Sequence, residues 1–138
     1  MSHNVIASIY EARVIGWAKA LPAPLKVVVE NEVYQPANGE TYLRAFTLPA
    51  DTASNTLGGD HRLYTGVFQV SIVTPAGKYR GAAGALADQI VALFPLYERN
   101  SKDTLTVVTM TPVDQGPGIP ADTTYTVPVS FQYRSDTN

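Results

Sequence analysis

The stretch Tyr125-Thr126-Val127-Pro128-Val129-Ser130-Phe131-Gln132-Tyr133 decides the fold class. Tyr125, Val127, Val129, Phe131 and Tyr133 alternate with Thr124, Thr126, Pro128, Ser130 and Gln132. A period of two places one set on each side of a pleated strand, so this is a strand with one apolar face. Pro128 has no N–H to give to a ladder, which predicts an edge position or a local bulge. An edge would also offer a place for another chain to pair.

Working outward, the Gly/Pro-rich segment from Pro112 to Asp122 reads as a loop, and Thr104 to Thr111 as a strand. Before it, Leu86, Ile90, Leu93 and Phe94 recur at helical spacing. They define a helix from Tyr79 or Gly81 to Phe94, stopped by Pro95. Ala82, Ala83, Gly84, Ala85 and Ala87 keep its first half thin, so that a sheet or another chain can approach closely. Tyr64 to Thr74 is a strand with Phe68, Val70 and Ile72 on one face, followed by a turn at Pro75–Lys78. Pro49 to Leu63 has no periodicity and reads as a long polar loop, a feature that in compact domains is usually functional or disordered. Thr41 to Leu48 and Leu25 to Glu32 read as strands separated by the turn signal Asn38-Gly39. Val5, Ile6, Ile9, Tyr10 and Trp17 define a first helix from Asn4 to Leu21, capped by Asn4 and ended by Pro22 and Pro24. Arg134 to Asn138 reads as a frayed tail. The expected fold is α+β, in the order α-β-β-β-α-β-β. It is a mainly antiparallel sheet of about five strands with two helices on one face, in a single domain over residues 1–138 with an ordered core of about 4–134.

Composition narrows the function. Charged residues make up 16% of the 138-residue chain, against roughly 25% in a typical soluble domain. A polar but weakly charged surface is cheaper to desolvate, which suits a subunit that buries much of its outside against neighbours. Net charge is −2 and no basic stripe occurs, so the footprint of a nucleic-acid binder is missing. No apolar run reaches bilayer-spanning length, and the first residues lack the pattern of a signal peptide. There is no cysteine, which removes thiolate catalysis, disulfides and thiolate metal sites.

The inventory for catalysis is thin. His61, between Asp60 and Arg62, is the histidine of the chain's body, and one histidine beside a carboxylate falls short of a metal site. No Gly-x-Ser-x-Gly elbow is present. Glu30 and Glu32 share a strand face without an apolar setting that would raise a pKa. Gly77-Lys78-Tyr79-Arg80-Gly81 lies where a phosphate-binding turn would lie, between a strand and a helix, yet matches neither the Walker pattern nor the dinucleotide spacing. No cofactor, metal or catalytic residue is expected.

The order of motifs carries a resemblance. Leu48-Pro49-Ala50 precedes the polar loop; Tyr64-Thr65-Gly66-Val67-Phe68-Gln69-Val70-Ser71-Ile72-Val73 follows it; then come Pro75-Ala76-Gly77, the helix Ala85-Leu86-Ala87-Asp88-Gln89-Ile90, Phe94-Pro95, and the last strand Tyr125–Tyr133. Over residues 5 to 134 the chain resembles the small tail-terminator-like proteins of long-tailed phages and prophages. That resemblance implies an antiparallel sheet flanked by helices and no catalytic motif. It also implies a six-fold ring of copies that caps the tail tube, stops its polymerisation and offers a surface for the head. The implied partners are further copies of the chain, the major tail tube protein and the head–tail connector, with neither membrane nor nucleic-acid sequence recognised. The implied place is the virion tail, with the host bacterial cytoplasm during assembly. The candidate contact residues are Thr56, Leu57, Gly58 and Gly59 in the long loop, Arg62 at its end, Lys78 and Arg80 before the second helix, and Pro128. The competing readings are another head–tail joining or tail tube component, a small ligand-binding or enzymatic α+β domain, and a dimeric bacterial domain.

Overall fold

The computed structural model describes every residue except 1, 2, 31, 37, 38, 51–61, 78–80, 103, 104, 122 and 138. Helix α1 spans His3–Ala20 and α2 spans Gly81–Leu93. The strands are β1 Val27–Val28, β2 Tyr42–Pro49, β3 Arg62–Pro75, β4 Arg99–Lys102, β5 Leu105–Thr109, β6 Asp114–Gln115, β7 Ile119–Pro120 and β8 Thr124–Thr137. They form one mixed sheet in the order β1-β2-β3-β8-β5-β4, with β6 and β7 also paired to β8. The class is α+β, as expected, but the sheet has more strands than the five read from the pattern, and β1 runs parallel to β2.

The axis of the sheet is the β3–β8 pair, antiparallel over all fourteen residues from Arg62↔Thr137 to Pro75↔Thr124. Residues opposite each other point to the same face, so Phe68 and Phe131, Val70 and Val129, and Ile72 and Val127 stack in pairs on one side. Leu43 and Ala45 of β2 and Val107 of β5 extend that side. Ile6, Tyr10, Val14 and Ala18 of α1, a stripe at intervals of four, and Ala83, Ala87 and Ile90 of α2 close over it as one core. Alanines 83 and 87 let α2 approach the sheet closely, while Leu86 and Leu93, expected in its apolar stripe, are only partly buried.

At the centre stands Tyr10, fully buried, its ring 4.9 Å from Phe131, 5.3 Å from Phe68 and 5.7 Å from Phe94. Burial pushes its phenol up to about 12, and neither its hydroxyl nor that of Thr109 has a hydrogen-bond partner among the described residues. Arg13, one turn on, is paired with Glu98, donates to Asn100 Oδ1 at 2.8 Å and lies 5.8 Å from the Phe94 ring. That cluster ties α1 to β4, an edge strand whose sequence Arg-Asn-Ser-Lys carries no apolar alternation and gave no strand signal.

Four further expectations are corrected. The strand Leu25–Glu32 shrinks to two residues, because the Val29 N–H donates to Glu32 Oε1 and the Glu32 N–H to the Val29 carbonyl, a turn that ends it. The segment Pro112–Asp122 is not all loop, since β6 and β7 pair with β8. The tail does not fray at Arg134: pairing runs to Thr137, and Ser135 is buried with its hydroxyl donating to the Thr106 carbonyl at 2.7 Å. Most importantly, Pro128 is not on an edge. Its strand is central, with Ser71 opposite on one side and the Pro128 carbonyl accepting the Gly116 N–H at 2.7 Å on the other. The N and C=O of a strand residue point the same way, so the missing donor faces residues 116–118. There the register slips by one, from Gln115↔Val129 to Ile119↔Thr126, leaving 116–118 opposite 127 and 128. The bulge lies on the partner segment and removes the need for a proline N–H.

Gly66 has a specific task. A Cβ there would lie 2.5 Å from the Tyr133 hydroxyl and 2.7 Å from the Leu48 carbonyl. The space lets the Tyr133 ring cross its own strand partner, and its hydroxyl shares a 2.7 Å hydrogen bond with His3 Nδ1. The His3 ring also meets Tyr64 edge-on at 5.2 Å.

Two predictions follow from this core. Tyr10→Phe is expected to keep stability within about 1 kcal/mol, since only a poorly bonded hydroxyl is lost, whereas Tyr10→Ala costs about 3–5 kcal/mol by emptying the cluster; urea unfolding of the three proteins measures both. Burial holds the His3 imidazole below its ordinary range, and the Ala50 carbonyl opposes this only in part. The unfolded chain therefore takes up the proton first. The stability tied to His3 is complete above about pH 6.5 and declines as pH falls through that value, levelling off below the folded pKa. Urea midpoints taken at about pH 7.5 and 5.5 should drop less in His3→Gln than in the unaltered chain; equal drops would remove His3 from the account.

Candidate assembly surfaces

The strand alternation that builds the core also defines an opposite face, which neither helix covers. On β3 it carries Thr65, Val67, Gln69 and Ser71; on β8, Pro128, Ser130, Gln132 and Arg134; on β2, Arg44, Phe46 and Leu48; on β5, Thr106 and Val108. Antiparallel sheets commonly present one face to water, usually polar. Here the two central strands are polar but almost uncharged, with Arg134 the one charged residue among those named on them. Near the β1 end, Val28, Tyr42 and Val73 form a small second cluster under Tyr34 on this same face, so the open part begins beyond it.

Three shallow depressions run together across the open part. One of about 420 Å³ is lined by Val67, Pro112, Asp114 and Gln132. The next, about 440 Å³, shares Val67 and Gln132 and adds Thr65, Gly66, Met110 and Arg134. A third, also about 440 Å³, shares Met110 and Arg134 and ends at Tyr97, Arg99 and Val108. Tyr97 sits at the rim with a positive φ of 62°, a rare conformation for a bulky residue. It is held there because its N–H donates to the Thr109 carbonyl at 2.8 Å while the next N–H, of Glu98, reaches back to Pro95 at 3.2 Å. The local strain turns an exposed aromatic ring outward beside the depression.

The opposite side of the molecule is the outer surface of the helix layer. Ala85, Asp88, Gln89, Val91 and Ala92 of α2 are exposed there, and Asp88 is the sole charged residue of that helix. A third projection is the stretch Gly116–Pro120. Gly118 lies so close to Tyr125 that a Cβ would overlap the phenol oxygen at 1.9 Å, which seats the exposed Ile119 on a rigid base.

These surfaces differ from the residues named from sequence. Thr56, Leu57, Gly58, Gly59, Lys78, Arg80 and His61 lie outside the described residues. Arg62 opens β3 opposite Thr137, and Pro128 faces Ser71 nine positions away on β8. At about 3.3 Å per residue that is roughly 30 Å, so the two do not belong to one patch. Val67, Gln132, Met110, Tyr97 and Arg99, which line the depressions, are not among the residues named from sequence. The signal was present in the complement of each alternating pattern, but the pattern alone does not say which face the helices leave open.

Among the described residues no cluster of three or more His, Asp or Glu side chains could hold a metal ion. No described helix is long and apolar enough to cross a membrane. The perturbed groups serve the fold: burial, then Tyr10 and Glu30, push the Tyr133 phenol up to about 12. Burial and the nearby Glu30 raise the Glu11 carboxyl. Lys26 and the Val29 N–H lower that of Glu32.

No curated protein matches the chain. A solved structure with 38% sequence identity matches with a TM-score of 0.83, over 98% of this chain and 96% of that one. The family model described as phage tail terminator protein matches residues 5–133. With that match running through both helices and nearly all of the β3–β8 axis, the chain belongs to the phage tail terminator protein family.

Proposed function

We propose that copies of this chain close into a six-fold ring on the end of the phage tail tube, end its polymerisation and present the surface to which the head connector joins. The observation that carries the proposal is the family match over residues 5–133, which gives the chain a structural role in the phage tail. The physical chemistry is compatible with it. A closed ring needs one patch that fits a different patch on the next copy. This molecule has an uncovered sheet face on one side and a nearly uncharged helix on the other. Weak surface charge lowers the desolvation cost of such contacts. The tube protein and the connector are the remaining partners, met in the host cytoplasm as tails assemble and retained in the virion. The loop between β2 and β3, whose base is fixed by the Ala50 N–H donating to the Thr65 carbonyl at 2.9 Å, is assigned to the tube end.

Two measurements test this. Light scattering across a concentration series should give either a discrete species near six copies of the 14.9 kDa chain or a monomer that becomes a ring on isolated tubes. In both cases added protein arrests tube growth, and open-ended self-polymerisation would assign the chain to the tube instead. Deleting Thr52–Gly59 should leave the melting temperature within a few degrees while tails become overlong or headless. Normal infectious tails from that deletion would sink the assignment of the loop.

A further inference from the structure

We infer that neighbouring copies meet by the helix layer of one, centred on α2, packing onto the uncovered sheet face of the next, so that each sheet in the ring carries helices on both faces. The inference rests on the ring reading and specifies the contact that closes it.

Four observations converge. The first is area. From Leu63 to Ser71 on β3 and across β2, β3, β8 and β5, the open face measures about 30 Å by about 20 Å. That is about 600 Å² in projection, before side-chain relief is counted, close to the ~800 Å² per partner of a stable interface. The second is shape. The joined depressions run diagonally from Asp114, opposite Ser130, to Arg99, which reaches Arg134 through Val108. Four positions along and one strand across make roughly 14 Å, and a helix of thirteen residues, the length of α2, is about 20 Å long.

The third observation is the character of α2. Apart from Asp88 and Gln89 its residues are Gly, Ala, Leu, Ile and Val, and Val91 remains 40% exposed on a side that its own sheet does not reach. The exposed side of α2 thus sets Ala85, Val91 and Ala92 beside Asp88 and Gln89, a weakly polar surface, while the molecule buries only the side bearing Ala83, Ala87 and Ile90. The fourth is direction and charge. The open sheet face and the outer surface of α2 point to opposite sides of the molecule, as a head-to-tail contact requires; two copies of one face would instead pair by a two-fold axis and stop at a dimer. Asp88, the sole charge on α2, would meet a depression whose far end is edged by Arg99 and Arg134.

The chain has no cysteine, which makes the contact directly addressable. Gln132→Cys on the sheet face and Ala92→Cys on α2 both replace exposed residues. The doubly substituted chain, treated with a short bismaleimide, should give a ladder of covalent multimers. Each single variant alone should stay at the level of the unaltered chain, and the two singles mixed should give dimers and nothing larger. The reaction is run where light scattering shows oligomers or, for a chain monomeric by itself, on tail tubes. Oligomers or tube-bound rings without the ladder would overturn the contact and leave the ring standing. Absence of self-association in both settings would sink the ring reading and the contact together. Val91→Asp and Val67→Asp, which touch only the two proposed surfaces, should each reduce assembly at least tenfold while leaving the monomer's melting curve in place. Unchanged assembly in both would also overturn the contact.

Discussion

The packing of Tyr10 against Phe68, Phe94 and Phe131 is the constraint on which the rest of the structure depends. It joins a helix near the start of the chain, the middle of the sheet, the end of the second helix and the last strand at one point. Buried aromatic groups contribute both a large apolar area and a preference for edge-on or tilted contacts. Once those four rings are in register, the β3–β8 pairing is fixed, because a slip of one residue would turn either Phe68 or Phe131 to the open face. The position of α1 then brings Arg13 to Glu98 and so holds an edge strand that has little pairing tendency of its own.

The same packing makes the molecule two-sided. Every apolar pair directed at Tyr10 leaves a polar or small residue on the reverse of the strand: Val67, Gln69, Ser130 and Gln132 are the backs of Phe68, Val70, Val129 and Phe131. The reverse face is therefore a by-product of core formation in its geometry. The lack of charge at those four positions is not, since lysine or glutamate there would satisfy the same alternation.

Much of the fold was legible. Both helices, β2, β3 and β8 follow from periodicity and proline punctuation, and the boundaries of α1 and α2 differ from expectation by one or two residues. What failed had two causes. β1 was overextended because a local turn, with the Glu32 carboxylate on the Val29 N–H three residues back, ends it, and β4 was missed because it is held by contacts distant in sequence, Arg13 on Glu98 and Asn100. The candidate contact residues are drawn mainly from irregular loops, most of which lie outside the described residues, whereas the open faces of the folded chain lie on regular elements, at Val67 and Gln132 on strands and Val91 on a helix. Periodicity identifies a side chain as facing in or out, and leaves open whether the outside is a shared face.

By itself the sequence determined the class of fold, the absence of cysteine chemistry and the placing of an alternating strand at the end of the chain, because these depend on local pattern and composition. Only the tertiary structure decided that this strand is central. Pro128 argued for an edge or a local bulge, because it lacks a donor. In the folded chain that lack is met by a one-residue slip between β6 and β7, so the ladder asks for no N–H there. A bulge on a partner segment is invisible to any reading of the strand alone, since it arises from how two distant stretches align, and it turns an expected edge into the axis of the sheet.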